Sequence, residues 1–118
     1  KSQASYIACE WIEREATKRG IHIHHALCGH GGERKVGGAL VDGYHHEIKT
    51  VFQFNGGYWH GCPRCYPHNR DVQPILANRK RGKSMNQKFK ETLNRRTAVV
   101  EEDFTIVEVW ECGSVKSI

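Results

Sequence analysis

The chain has 118 residues, of which 38% are hydrophobic and 26% charged, a composition that predicts a globular protein and excludes a disordered one. No apolar run approaches the roughly 20 residues of a membrane-spanning helix, so we expect no membrane association. The 18 Lys and Arg outnumber the 13 Asp and Glu, for a net charge of +5, and this excess favours a polyanionic partner such as nucleic acid.

The length fits one domain with one core, so we expect a single domain over residues 1–118. The chain begins at Lys1 rather than Met, and no signal-peptide pattern follows. We therefore expect a piece excised from a longer polypeptide, which works inside the cell, in the nucleus or the cytoplasm, and is not secreted.

The first predicted element is a helix over residues 5–19. Apolar side chains recur there at helical spacing, Ser5 can cap the N-terminus and Gly20 can end the helix. The alternation over residues 21–24 predicts a short strand. The glycines and charges of residues 29–38 predict a loop.

Two further strands are predicted over residues 39–41 and 50–54, the second rich in residues with high β propensity. The Asp-Gly pair within residues 42–46 predicts a turn between these strands. Gly56 and Gly57 follow the second strand closely and are expected to end it.

The second half of the chain is predicted to hold one helix and one strand. Residues 66–83 are polar and contain two prolines, which predicts an irregular segment. Residues 84–99 are a predicted helix with Ser84 as N-cap, and residues 104–110 a final strand. The order of elements predicts an α/β domain with a central mixed sheet flanked by helices.

The positive charge is concentrated between residues 79 and 96. The basic residues there are Arg79, Lys80, Arg81, Lys83, Lys88, Lys90, Arg95 and Arg96. Clustered positive charge is typical of a surface that binds phosphates, but a solvated helix face has the same pattern. We expect the six basic residues from 79 to 90 to contact DNA.

The five cysteines, an odd number, argue against a closed set of disulfide bonds. Cys62 and Cys65 form a C-x-x-C motif, and eight histidines accompany it. This combination favours metal binding in a reducing compartment. Cys9 lies on the apolar face of the first predicted helix and is expected to be an ordinary core residue.

A structural Zn²⁺ needs four nitrogen or sulfur ligands in a tetrahedron. If the last strand lies beside the C-x-x-C motif, Cys112 joins Cys62 and Cys65 as the third ligand. His68 is then the nearest candidate for the fourth ligand. The segment 28–30, with one cysteine and one histidine, is a more distant alternative.

Asp42 and His60 are the candidates for hydrolytic chemistry. Cleaving a phosphodiester requires a divalent cation that neutralises phosphate oxygens and a base near the attacking water. Asp42 follows one predicted strand and His60 comes just after the next, so the two can meet around one phosphate. The alternatives are an Asp-Gly turn for Asp42 and a structural or metal-ligating histidine for His60.

Two separated motifs resemble one nuclease family. Gly56-Gly-Tyr-Trp-His60, followed by cysteines, is similar to the Gly-Cys-Phe-Trp-His motif of the very-short-patch-repair (Vsr) nucleases. Trp110-Glu-Cys112 is similar to the motif that closes their last strand, and Asp42 stands at the family's interval before Trp-His. The resemblance covers about residues 41–112.

Related segments carry Gly-Gly-Glu upstream, as at Gly31-Gly-Glu33 here, together with Val-Asp-Gly-Tyr. They occur in proteins of large self-synthesising DNA transposons and related viruses, and we regard that group as the closer one. The resemblance therefore points to a mobile-element origin for this chain.

The resemblance implies a restriction-endonuclease-like core of the PD-(D/E)XK superfamily and a metal-dependent DNA endonuclease, acting by nicking or double-strand cleavage. It implies a catalytic Mg²⁺ (or Mn²⁺) bound by Asp42 and the backbone carbonyl of Phe54. His60 would be the general base or the group that orients water, and Glu33 a supporting carboxylate.

Four further residues are placed by the same resemblance. Tyr58 and Trp59 would wedge against DNA bases, as apolar side chains do in distorted duplexes; burial in the core is the alternative. Glu91 or Thr92 stands on the second predicted helix, where the family carries another acidic residue.

Three positions depart from the family pattern. The superfamily motif has an acidic residue and then a Lys in the second strand, where this chain has Gln53 and Asn55, and Gly57 replaces a family cysteine. These changes favour the alternative of a catalytically inactive, zinc-stapled DNA-binding module derived from such a nuclease. The pair His45-His46 with Asn55 also suggests an HNH nuclease, whose metal finger needs a wider spacing.

Overall fold

The computed structural model of the chain describes residues 3–25 and 34–116, with side chains for residues 6–25 and 35–113. Its elements in chain order are α1 (Gln3–Arg19), β1 (His24–His25), β2 (Arg34–Val36), β3 (Ala39–Val41), β4 (Gly43–His45), β5 (Thr50–Asn55), α2 (Gly57–His60), α3 (Met85–Glu101), β6 (Thr105–Trp110) and α4 (Glu111–Lys116). The predicted mixed α/β class is confirmed. Among the described residues, no helix has the length and apolar character that a membrane span requires.

The chain divides into two compact units. The first, the sheet unit, comprises Lys1–Phe54 and Arg95–Val109, and the second, the cysteine unit, comprises Asn55–Asn94 and Trp110–Ile118. Helix α3 and strand β6 contribute residues to both units. The expectation of one domain over residues 1–118 stays a prediction.

A four-stranded mixed sheet has the strand order β1-β4-β5-β6. β4 pairs antiparallel with both neighbours, with His24 opposite Tyr44 and Gly43 opposite Phe52. The N–H of Thr105 donates to the carbonyl of Lys49 over 2.8 Å, so β5 and β6 begin side by side, as parallel neighbours do. β2 and β3 form a separate antiparallel pair.

The core of the sheet unit consists of two apolar clusters. In the first, α1 packs on β5, where the rings of Trp11 and Phe52 meet edge to face at 6.5 Å between centroids. The second is built from four valines: Val36, Val41, Val51 and Val99. All six residues of β5 are buried, as expected for a central strand covered on both faces.

The first helix confirms most of the prediction for the N-terminal segment. α1 begins before Ser5, so the prediction that Ser5 caps the helix is wrong, while Gly20 follows its last residue with a left-handed φ of 66°. The strand predicted over residues 21–24 is wrong except at its last residue, because β1 comprises only His24 and His25. The predicted loop over residues 29–38 is wrong in part, because β2 lies within it; residues 26–33 are outside the described residues.

The turn predicted over residues 42–46 is also wrong, since β4 occupies most of it and the turn lies at residues 46–49. A Cβ at position 43 would stand 2.9 Å from the Cγ2 of Ile23. Gly43 therefore serves close packing of a strand, whereas the Asp-Gly pair was interpreted as a turn signal.

The predictions for the second half of the chain are largely confirmed. Ser84 caps α3, because its Oγ accepts the N–H of Gln87 over 3.1 Å and its own N–H donates to the Oε1 of Gln87 over 2.7 Å, a capping box. Residues 66–83 are irregular apart from an isolated bridge between Ile75 and Arg81. The short helices α2 and α4 were not predicted.

Candidate functional site

Three cysteines converge in the cysteine unit. The sulfur atoms of Cys62, Cys65 and Cys112 all lie within 4.8 Å of one another, and those of Cys62 and Cys112 are 4.0 Å apart. The predicted set of three sulfur ligands is thereby brought together, in an arrangement that can bind a metal ion such as zinc. His68 is exposed and is not part of this cluster.

A tight turn presents the C-x-x-C motif. The N–H of Tyr66 donates to the carbonyl of Cys62 over 2.9 Å, and the N–H of Cys62 to that of Gly57 over 2.9 Å. Burial opposes ionisation of the Cys62 thiol, but the backbone N–H groups of Cys65 and Arg64, with the neighbouring thiols, outweigh it and lower its pKa. Desolvation and the adjacent thiols raise the pKa of Cys65 to about 11. The lowered pKa of Cys62 favours the thiolate form, which is the form of cysteine that binds a metal ion.

The two motifs that carry the family resemblance, residues 56–60 and 110–112, lie in contact within the cysteine unit. The ring of Trp110 lies edge-on to that of His60, with 6.4 Å between centroids. Glu111 accepts the N–H of Gly57 at the start of α2 over 3.3 Å. Cys112 completes the cysteine cluster. Residues about 50 positions apart in the chain therefore form one local structure.

His60 is held by α3. Its Nδ1 lies 3.1 Å from the Oγ1 of Thr92, and that hydroxyl donates its only hydrogen to the carbonyl of Lys88 over 3.0 Å. Thr92 must therefore accept from His60, so the neutral imidazole carries its hydrogen on Nδ1 and the lone pair on Nε2. The resemblance offered Thr92 only as one of two candidates for the position of a family acidic residue. In the structure Thr92 orients the imidazole ring of His60.

Tyr58 and Trp59 are exposed, at 43% and 67% of their surface, so the alternative that they are core residues is wrong. The ammonium of Lys88 lies 3.7 Å from the Tyr58 ring centroid and donates to the carbonyl of Tyr58 over 3.2 Å. Beside them opens a cavity of about 380 Å³, whose lining includes Tyr58, Tyr66, Val72, Lys83 and Lys88.

Arg70 organises the cysteine turn, and no sequence motif indicated it. Its guanidinium donates to the carbonyls of Gly61 over 2.8 Å and Tyr66 over 2.7 Å. Its Nε donates to Asn86 over 2.8 Å, and the group lies 5.8 Å from the ring centroid of Phe89. A planar five-donor fork can tie a turn to a helix in this way, which a lysine cannot.

Asp42 lies in the sheet unit, between β3 and β4. Its Oδ2 accepts the N–H of Phe54 over 2.9 Å and the side-chain amide of Gln53 over 2.7 Å. The N–H of Asp42 in turn donates to the Oε1 of Gln53 over 3.1 Å. The buried amide of Gln53 therefore clamps Asp42, and the two β5 residues fix the carboxylate in one orientation.

Burial raises the pKa of Asp42 to about 6, against the opposing effects of the Phe54 hydrogen bond and the charge of Arg95. Arg95 is itself partly buried, which lowers its pKa, while the charges of Asp42 and Glu108 oppose that change. A carboxylate kept in a setting that disfavours its charge is typical of functional sites, although ion-pair networks also produce such shifts.

The basic residues between positions 79 and 96 have different surroundings. Arg79, Lys80, Arg81 and Lys90 are exposed, and Lys83 pairs with Glu91 over 2.8 Å. Arg96 is bound by Glu108 in the sheet unit. The exposed basic residues from 79 to 90 thus all belong to the cysteine unit.

Several candidate residues lie elsewhere. Glu33, Cys28 and His30 fall outside the described residues, so their predicted roles stay predictions. Cys9 is buried as expected but forms a disulfide bond, so the expectation of an ordinary core thiol is wrong. Asn55 is fully buried at the end of β5.

Comparisons of the chain with protein-family models, with curated proteins and with solved structures gave no match.

Proposed function

We propose that the chain is a divalent-metal-dependent DNA endonuclease with a restriction-endonuclease-like core, related to the Vsr nucleases. The observation that carries the proposal is the setting of Asp42, a partly buried carboxylate that two residues of the central strand hold in one orientation. Its raised pKa of about 6 indicates that the carboxylate is kept at a cost in stability, and a function would explain that cost.

Asp42 and the carbonyl of Phe54 are the proposed Mg²⁺ ligands. In an extended strand the N–H and the C=O of one residue point to the same side. Since the N–H of Phe54 bonds Asp42, its carbonyl is directed toward the same side as the carboxylate. Both are hard oxygen donors of the kind that Mg²⁺ and Mn²⁺ prefer. When bound, the ion supplies charge neutralisation to the phosphate and acidifies water.

His60 is the proposed base. Because Thr92 accepts from Nδ1, the lone pair of Nε2 can take a proton from water as the oxygen of that water attacks phosphorus. This arrangement, a base oriented by a hydrogen bond to its far nitrogen, is the general design of His-assisted hydrolysis. The roles of Asp42 and His60 are assigned separately, each from its own surroundings.

DNA is the proposed substrate because of the cysteine unit. It holds nine basic against three acidic residues, a net charge of +6, together with the exposed rings of Tyr58 and Trp59. Phosphate contacts from the exposed basic residues would position the duplex, and the two rings would contact bases. We also propose that the chain acts inside the cell and derives from a DNA transposon or related virus.

A second candidate function is a catalytically inactive DNA-binding module. One observation favours it: Gln53 occupies the strand position of a superfamily acidic residue, and its amide is engaged with Asp42 rather than available to a cation. A site with one carboxylate binds Mg²⁺ weakly. In that case DNA binding would persist without any cleavage.

The test is plasmid nicking in the presence of Mg²⁺ or Mn²⁺. We expect Asp42→Ala to abolish nicking, and His60→Ala to reduce it by roughly 10²–10⁴-fold, the usual cost of losing a general base. Thr92→Val, which cannot accept from Nδ1, should reduce the rate less, while Thr92→Ser should restore it. Binding of Mg²⁺ to the parent should strengthen as pH rises through about 6, because only the ionised Asp42 binds the ion.

Asp103→Asn is the matched control, because Asp103 is exposed and its substitution should leave nicking unchanged. A parent chain that binds DNA but is inert with both metals would establish the DNA-binding alternative. A folded Asp42→Ala chain that nicks at the parent rate would refute the role of Asp42.

A further inference from the structure

The cysteine cluster supplies three ligands where a tetrahedral metal takes four. Among side chains of residues 6–25 and 35–113, Cys62, Cys65 and Cys112 are the only group of three or more potential ligands that converges. A structural zinc site is normally closed by a fourth protein ligand, whereas a site with three protein ligands leaves a position for water or another small donor.

Gly57 marks the place beside the cluster where a fourth side chain would start. A Cβ built at this position would lie 3.7 Å from the Cβ of Cys62, the Sγ of Cys65 and the Cε2 of Tyr66. These are ordinary contact distances, so a small side chain fits. Gly57 is also the first residue of α2 and has no left-handed φ. Neither space nor backbone conformation therefore requires glycine here.

The charge of the cluster indicates which donor suits the fourth position. Zn²⁺ with three thiolates carries a net charge of −1, so a neutral donor adds no further repulsion, unlike a fourth thiolate. Imidazole nitrogen is a good zinc ligand. Cys65 is exposed whereas Cys62, Cys112 and Gly57 are buried, so the cluster is open to solvent on the side of Cys65.

We propose that the cysteine unit binds one Zn²⁺ through Cys62, Cys65 and Cys112 and leaves the fourth position, on the exposed side next to Cys65, to an exchangeable neutral donor from outside the chain. Water occupies that position in the isolated protein, and an imidazole group replaces it. The site is thus a ligand-binding site as well as a structural staple. This inference does not depend on nuclease activity.

The test uses Co²⁺ in place of zinc, because its visible absorption reports the number and kind of ligands. Titrating free imidazole into the Co²⁺-loaded parent should produce a saturable change in the spectrum. Gly57→Cys should give a spectrum that imidazole does not alter and should bind metal at least about tenfold more tightly, as expected when a chain ligand closes the site. Gly57→Ala, which fills the same space without a donor, should respond to imidazole as the parent does.

The proposal is overturned if the Co²⁺-loaded parent ignores imidazole. It is also overturned if His68→Ala or His30→Ala weakens metal binding tenfold, because a histidine of the chain then holds the fourth position. The parent titration decides the matter even if Gly57→Cys fails to fold. None of these measurements involves DNA, so the nuclease proposal can fail while this one stands.

Discussion

The sheet unit and the cysteine unit contain different kinds of interior. The sheet unit buries aliphatic and aromatic side chains, including Ile12, Val51 and Phe52 at 0% exposure. Among the described residues of the cysteine unit, the only buried hydrophobic side chains are Cys62 and Cys112. Hydrophobic burial is the dominant stabilising contribution in folded chains, so the cysteine unit must depend on something else, and its cysteine cluster and the Arg70 hydrogen bonds are what it has.

The two units also differ in net charge and in exposed hydrophobic residues. The sheet unit has nine basic and ten acidic residues, a net charge of −1, whereas the cysteine unit has a net charge of +6. Among the described side chains of the cysteine unit, six large hydrophobic residues are exposed: Tyr58, Trp59, Tyr66, Val72, Ile75 and Leu76. The cysteine unit thus exposes apolar and basic side chains and buries few apolar ones. Such a surface favours binding to a partner, whereas a small apolar interior gives low stability.

The largest effect that should separate the two units is that of metal removal. With a chelator, we expect amide hydrogen exchange in residues 55–94 to accelerate strongly, because metal binding supplies the folding free energy that a small apolar interior cannot. The buried strand β5 should stay protected. Hydrogen exchange with mass spectrometry measures both regions in one experiment.

Re-addition of zinc is the control and should restore protection in the cysteine unit. Cys112→Ser should reproduce the effect of the chelator without any chelator present. Uniform exchange rates with and without metal would mean that the cysteine unit does not rely on its cluster.

A smaller effect is expected at Asp42, where burial disfavours the charged carboxylate. The pKa of about 6 lies above the ordinary 3.8, so the folded chain should lose stability as pH rises through this interval. The side chain introduced by Asp42→Asn carries no charge, and its single carbonyl oxygen can accept both bonds that fall on Oδ2. We therefore expect Asp42→Asn to be more stable at pH 7.5, by about 1–3 kcal/mol, and equal to the parent near pH 4.

Thermal unfolding at the two pH values measures this difference. Asp103→Asn should show no pH-dependent gain, since Asp103 is exposed. Destabilisation of Asp42→Asn at both pH values would show that the carboxylate is a structural group rather than a functional one.

The smallest effect concerns individual surface charges. Replacing Lys80 and Lys90 together with Ala should reduce the slope of log binding constant against log salt concentration by about 1–2, since each phosphate contact contributes about 0.9. The same double replacement at Lys18 and Lys35, which are exposed in the sheet unit, should leave the slope unchanged. Equal effects from both pairs would remove the assignment of DNA contact to the cysteine unit.

The sequence predicted the elements whose signals are local. The helical spacing of apolar residues located α1, Ser84 marked the start of α3, and β-branched residues located β5. The turn predicted around Asp42 failed because Gly43 is needed for packing against Ile23, a tertiary reason that no local pattern carries.

For the candidate site, the motifs predicted which residues assemble but not how they are held. The convergence of Cys62, Cys65 and Cys112 followed from spacing and resemblance. Thr92 orients His60 through one hydrogen bond across 32 positions, and Arg70 holds the cysteine turn through bonds to main-chain carbonyls; spacing gives no signal for either. From the sequence, Gln53 was interpreted as the replacement of an acidic metal ligand. The structure shows that its side-chain amide hydrogen-bonds to Asp42.

Gly61, between His60 and Cys62, has a consequence for finding relatives of this chain. It has a left-handed φ of 67°, and a Cβ there would stand 2.1 Å from the carbonyl oxygen of Met85. Any homologue with this packing must therefore keep glycine at position 61, whatever its chemistry, while position 57 can also hold a small side chain. A search pattern should weight the glycine after Trp-His more heavily than the residues before it.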